Sequence, residues 1–150
     1  MKKKIIIGLV LFLAIIQLIQ PEKNRATGIA KDDIRNKYVV SGQVISILEK
    51  ACYDCHSNNT NYPWYAYIQP VAWYTAHHVN EGKSELNFSD FANYPHKKAH
   101  HKLEEVEETV ANGEMPNNAY LQMHANAKLT DEEKQILIDW SKSLRAAMKK

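Results

Sequence analysis

Only two cysteines occur in the 150 residues, Cys52 and Cys55, and that scarcity removes several classes of protein. A structural zinc site takes four ligands, usually from two Cys or His pairs, so only a mixed site drawing on the seven histidines stays arithmetically open. A lipoprotein anchor needs a cysteine at the end of its leader, and none precedes Cys52. Charge of one sign is also absent. Of 19 Lys and Arg, three are Lys2, Lys3 and Lys4 at the very start, which leaves 16 basic against 17 acidic residues and no electrostatic footprint for nucleic acid. No nucleophile–base set that would demand catalysis is evident either, so the expectation is a protein that is not an enzyme.

What is there is concentrated in Cys52-Tyr53-Asp54-Cys55-His56, a C-x-x-C-H pentapeptide, the attachment pattern of a c-type haem. Two thiols three residues apart can add across the two vinyl groups of one porphyrin, and the following imidazole then lies beneath the iron as proximal ligand. A thioredoxin-like redox pair, a zinc site and a plain disulfide compete for the same cysteines. The first wants a strand and a βαβ context, whereas the residues before Cys52 carry helical periodicity. A disulfide leaves His56 without a role.

The N-terminus bears on this independently, because covalent haem attachment in bacteria occurs outside the cytoplasmic membrane. Three lysines precede an apolar run over residues 5–19, broken by Gly8 and Gln17, the pattern of a secretory signal or N-terminal anchor. No A-x-A-like cleavage site follows, which favours retention as a tether. At 1.5 Å per residue the run covers about 22 Å against a hydrocarbon core of roughly 30 Å, so its length alone is indecisive. The expected organisation is a signal or anchor over 1–20, a polar linker over 21–36 and one haem-binding domain over 37–150. The expected location is the periplasmic side of the bacterial inner membrane, tethered or secreted.

The domain reads as all-α. Val40, Val44, Ile47, Leu48 and Ala51 predict a helix from about residue 36 to the motif. Tyr62, Trp64, Tyr65, Tyr67, Trp73 and Tyr74, set among Pro63 and Pro70, are candidates for the wall of a flat apolar cofactor, or for ordinary core. A helix over 71–80 is expected to stop near Gly82, and Ser89-Asp90-Phe91 to form a capped turn. A surface helix over 97–112 ends before Gly113. His77 and His78 are candidate second axial ligands, His78 the better, while His96 and His100 at i, i+4 offer a weaker metal pair.

Gly113-Glu114-Met115-Pro116 places a methionine on a post-helical loop, where proline restricts it to an extended shape and its thioether can meet the open face of the iron. Met115 is the expected distal ligand, with Met123 as substitute and core filling as the plain alternative. Thr130-Asp131-Glu132-Glu133 is a capping box opening a terminal helix striped with Leu137, Trp140, Leu144 and Met148, which is expected to pack on the first helix. Lys149 and Lys150 suit its negative end.

The order helix, C-x-x-C-H, G-x-M-P and capped helix resembles cytochrome c domains. More particularly, residues 59–65, 70–73, 78–82 and 86–89, then Tyr120, His124 and 127–130, resemble the bacterial haem-binding domain family of small c-type cytochrome-like proteins, over roughly 40–145. The resemblance implies a cytochrome c-like helical domain wrapped around one covalent haem c per chain, with Cys52 and Cys55 as thioether residues, His56 proximal and Met115 distal. The function expected is mono-haem electron transfer between unidentified redox protein partners. The alternative is a haem-based enzyme or sensor of peroxide or a diatomic gas, its distal site open or filled by His78, with His124 as a second distal helper.

Overall fold

The computed structural model describes residues 1–148, so the two terminal lysines fall outside the described residues. Every regular element is helical: α1 (Lys2–Ile16), α2 (Ile34–Lys37), α3 (Gly42–Ala51), α4 (Tyr53–His56), α5 (Val71–Glu85), α6 (His96–Asn112), α7 (Asn118–Met123) and α8 (Asp131–Met148). Short 3-10 turns occupy Trp64–Tyr67, Phe88–Asn93 and Ala125–Ala127. The all-α expectation holds.

The core is a frame of α2, α3, α6 and α8 with the turn at Phe88–Asn93. Val44, Ile47, Leu48 and Ala51, spaced i, i+3, i+4, i+7, face Phe88, Phe91, Leu103 and Leu137, and the last four are at most 1% exposed. Burying each such side chain contributes about 1.5–3 kcal/mol. α8 packs chiefly on α6 and secondarily on α3, so its main partner is not the first amphipathic helix. Arg145 ties the α6–α8 pair by donating to Glu107 at 2.9 Å and to Glu104. The capping box forms: the Thr130 amide donates to Glu133 Oε2 at 2.8 Å and the Glu133 amide to Thr130 Oγ1 at 3.2 Å.

Several boundaries differ from the sequence reading. The helix before the motif starts at Gly42, because the Ser41 hydroxyl accepts the Val44 amide as an N-cap and Tyr38 is extended. The turn around Ser89 is capped by Asn87, whose side chain accepts the Ser89 amide. The 21–36 segment ends inside the core: Ile34 is fully buried and Asp33, 1% exposed, caps α2 and pairs with Arg35 at 2.7 Å.

α1 exposes every side chain except Ile16 and its immediate successor in part. No helix among the described residues is long and apolar enough to cross a membrane. Its C-terminal end is nonetheless pinned to the domain, since Gln17 and Gln69 exchange hydrogen bonds and the Gln69 amide nitrogen Nε2 donates to Ile19 O at 2.6 Å.

Candidate functional site: an apolar cleft beside the C-x-x-C-H turn

Cys52 closes α3 and starts α4, a single helical turn that carries Cys55 and His56. Both thiols are free, so no disulfide links them. Burial pushes Cys52 up to about 12, with Cys55 adding to the effect, and pushes Cys55 up to about 11, with Asp54 adding. Both are therefore neutral S–H groups at physiological pH.

The α4 turn lies against α5 at Gly82. A Cβ on that residue would sit 2.8 Å from the Cys55 carbonyl oxygen, closer than real Cβ atoms approach, and 3.0 Å from Cys55 Cβ, a tight contact. Gly82 therefore does not stop its helix, which runs on to Glu85. It lets two backbones touch.

His56 gains its orientation from this approach. Its Nδ1 lies 3.0 Å from the carbonyl oxygen of Leu86, the residue that closes α5. With Nδ1–H donating there, Nε2 is the nitrogen left for a metal, the arrangement that orients histidine ligands. Burial lowers the His56 pKa more than the carbonyls of Leu86 and Gly82 raise it, so the imidazole is neutral, the ligating form.

Cys52, Cys55 and His56 form one side of a cleft of about 700 Å³. Val71, Tyr74, Thr75, His78 and Val79 of α5 form a second side, and Met115, Pro116, Tyr120, Met123 and His124 a third. A volume in the range of cofactor sites, roughly 300–1,000 Å³, with the motif on one wall and a neutral imidazole prepared for a metal, fits a haem.

Met115 thus shares the cleft with His56, as expected. Its amide and that of Glu114 both donate to Thr109 O, at 3.1 and 2.9 Å, after Gly113 ends α6 in the left-handed conformation with φ +74°. The Met115 side chain is 38% exposed. Met123 and His78 line the same space, and His78 Nε2 is buried with no hydrogen-bond partner among the described residues. His77 is outside the cleft, exposed and 3.9 Å from Glu81. The His96 ring contacts the backbone oxygen of Met148 instead of pairing with His100 around a metal. Among the described residues no group of three or more His, Cys, Asp or Glu is placed to hold a metal ion.

The aromatic segment divides in a way its composition does not reveal. Only Tyr65 and Tyr74 of the six expected wall residues line the cleft. Tyr62 is buried elsewhere, its hydroxyl accepting the Asn24 amide at 3.0 Å, and Lys23 lies over the rings of Tyr62 and Tyr67. Trp64 is 75% exposed and Trp73 39%.

Asp54, a variable position within the motif, is the functional residue that sequence reasoning passed over. Its carboxylate accepts the Tyr120 hydroxyl at 2.7 Å and the Asn61 amide at 2.9 Å. Burial first, then the bond to Asp54, raises the Tyr120 pKa. Tyr120 also stacks on His124, centroids 4.0 Å apart, and His124 Nε2 meets the Tyr65 hydroxyl at 3.1 Å. The motif thus fastens the far wall of the cleft as well as forming the near one.

The chain matches a family model described as a haem-binding domain over residues 11–143. It belongs to the haem-binding domain family, and it is a haem-binding protein. Neither the curated proteins nor the solved structures contain a match to this chain.

Proposed function

We propose that this protein is a mono-haem c-type cytochrome that carries single electrons on the periplasmic side of the bacterial inner membrane, tethered there by α1. The observation that supports it most is the Nδ1 bond from His56 to Leu86 O, which leaves Nε2 available on a cleft that also holds both cysteines and Met115. Cys52 and Cys55 would hold the haem through thioether bonds to its two vinyl groups, and His56 Nε2 and the Met115 sulfur would be its iron ligands. The bound haem supplies a one-electron iron couple, which His/Met ligation places at a relatively high potential. With His56 and Met115 both ligating, the protein's residues would serve to hold, insulate and orient the group, leaving no open position for peroxide or a diatomic gas. Redox protein partners would dock weakly over a small area near the cleft mouth.

Optical spectroscopy of protein matured in a host competent for c-type attachment tests this. A six-coordinate, low-spin ferric spectrum with a methionine-to-iron charge-transfer band is expected, together with a covalent haem by mass. Met115→Ala should abolish the band, and an unchanged spectrum would remove Met115 from the assignment.

The second reading, a haem enzyme or sensor, draws on the buried, unpartnered His78 Nε2 and on the Tyr65–His124 pair facing the same space. A high-spin wild-type spectrum would favour it. Low-spin iron without the methionine band, converted to high spin by His78→Ala, would instead identify His78 as the distal ligand.

A further inference from the structure

The residues around the root of α1 form a surface that the haem site does not use. Gln17 and Gln69 exchange hydrogen bonds, Gln69 Nε2 reaches Ile19 O, and Gln20 Nε2 reaches Tyr67 O at 3.3 Å. These bonds seat the end of the apolar helix directly on the domain. Grouped at this junction, large apolar side chains face solvent: Leu18 is 85% exposed, Ile19 58%, Tyr67 42%, Ile68 45% and Trp73 39%. Trp64, 75% exposed, begins the 3-10 turn that ends at Tyr67, only about 8 Å of chain at roughly 2 Å per residue.

Helix length says what covers this patch. α1 begins with three lysines, so its apolar part, residues 5–16, covers only about 18 Å against a hydrocarbon core of roughly 30 Å. The lysines at its start can snorkel on one side only. At the other end the bonds among Gln17, Gln20 and residues 67–69 seat the helix on the domain, so a bilayer that takes up α1 also brings the exposed rings beside its end to the headgroup region. Tryptophan and tyrosine are the residues that favour that depth, where an apolar ring meets water at its polar tip.

We propose that Trp64, Tyr67, Ile68 and Trp73, with Leu18 and Ile19, form an interfacial apron that embeds the domain in the outer boundary of a phospholipid bilayer. The inference rests on the tethered reading of α1 and adds an orientation to it. Tyr65, Val71 and Tyr74 line the haem cleft, so the apron places that rim of the cleft beside the lipid.

The haem-loaded full chain in bilayer nanodiscs of phosphatidylcholine and phosphatidylglycerol, doped with a lipid carrying a diazirine near its headgroup, supplies the test. Photolysis and peptide mapping should find lipid adducts on α1 and on residues 64–73, several-fold above those on α8. Trp64→Ser combined with Trp73→Ser should remove most of the 64–73 adducts and leave those on α1. Adducts on α1 alone would overturn the apron and keep the tether. Absence from both would overturn the tether and the apron with it. Nanodiscs that hold two chains each, with α1 labelled and residues 64–73 unlabelled, would assign the surface to a second copy and overturn the inference equally.

Discussion

The two halves of the domain are built on different terms. The frame of α2, α3, α6 and α8 encloses its own apolar cluster, with Ile34, Leu48, Phe91, Leu103 and Leu137 fully buried. The shell around the cleft has almost no such cluster: α5 buries Ala72 and Val79 over 15 residues, and α7 buries none of its six. One half packs against itself. The other is shaped to pack against something flat and apolar, and in this family that partner is haem. In the shell, side-chain packing is replaced by specific ties, the Gly82 approach, the His56–Leu86 bond and the Asp54–Tyr120 bond.

The contrast breaks most visibly where the frame is cut. Leu137→Ala, at a fully buried site, should destabilise the protein by about 2–5 kcal/mol, seen by thermal or denaturant unfolding with haem bound. An effect under 1 kcal/mol would mean the frame is not the principal core. Gly82→Ala comes next. Its Cβ meets the Cys55 backbone and Cβ and not the far end of a flexible side chain, so a loss of about 1–3 kcal/mol is expected, accompanied by a reduced haem content that Leu137→Ala should not match per unit of stability lost.

Tyr120→Phe removes one bond to a partly buried carboxylate and should cost about 1–2 kcal/mol. It sharpens the comparison if amide exchange quickens in α7 and the Met115 loop while α6 and α8 stay protected. The smallest effect is at Glu133, in the frame but at its surface. Lys50, bonded at 2.6 Å, and the Thr130 amide hold its carboxyl below the ordinary value of 4.5. A group so depressed contributes stability above its unfolded pKa, roughly 4.3, and loses it as pH falls through the folded value. Glu133→Gln should therefore cost at most about 1 kcal/mol at pH 7, after allowance for solvent screening, and the difference from wild type should shrink below pH 4.

How much of this was legible in the sequence follows the range of each interaction. The motif, the Thr130–Glu133 box and the Gly113 terminus are contacts within a few residues, and each stands where local chemistry puts it. Met115 was legible as a loop residue near the end of a helix, and the cleft contains it. Gly82 was misread because glycine usually ends helices, whereas here its missing Cβ answers to Cys55, 27 positions away in sequence. Asp54 hid inside a motif whose middle positions are unconstrained by the attachment chemistry, and its partners Asn61 and Tyr120 only meet it in three dimensions. The aromatic cluster looks uniform as a list, but successive residues of a 3-10 turn point about 120° apart around its axis. Tyr65 enters the cleft while Trp64 meets solvent.

The acceptor that holds His56 is the main-chain oxygen of Leu86, whose own amide donates to Gly82 O at 2.9 Å. Any amino acid supplies that oxygen, so ordinary replacement at position 86 cannot delete it. The aim of the imidazole is inherited from the route of the polypeptide, and drift in neighbouring side chains can retune the surroundings of the metal while the ring keeps its bearing.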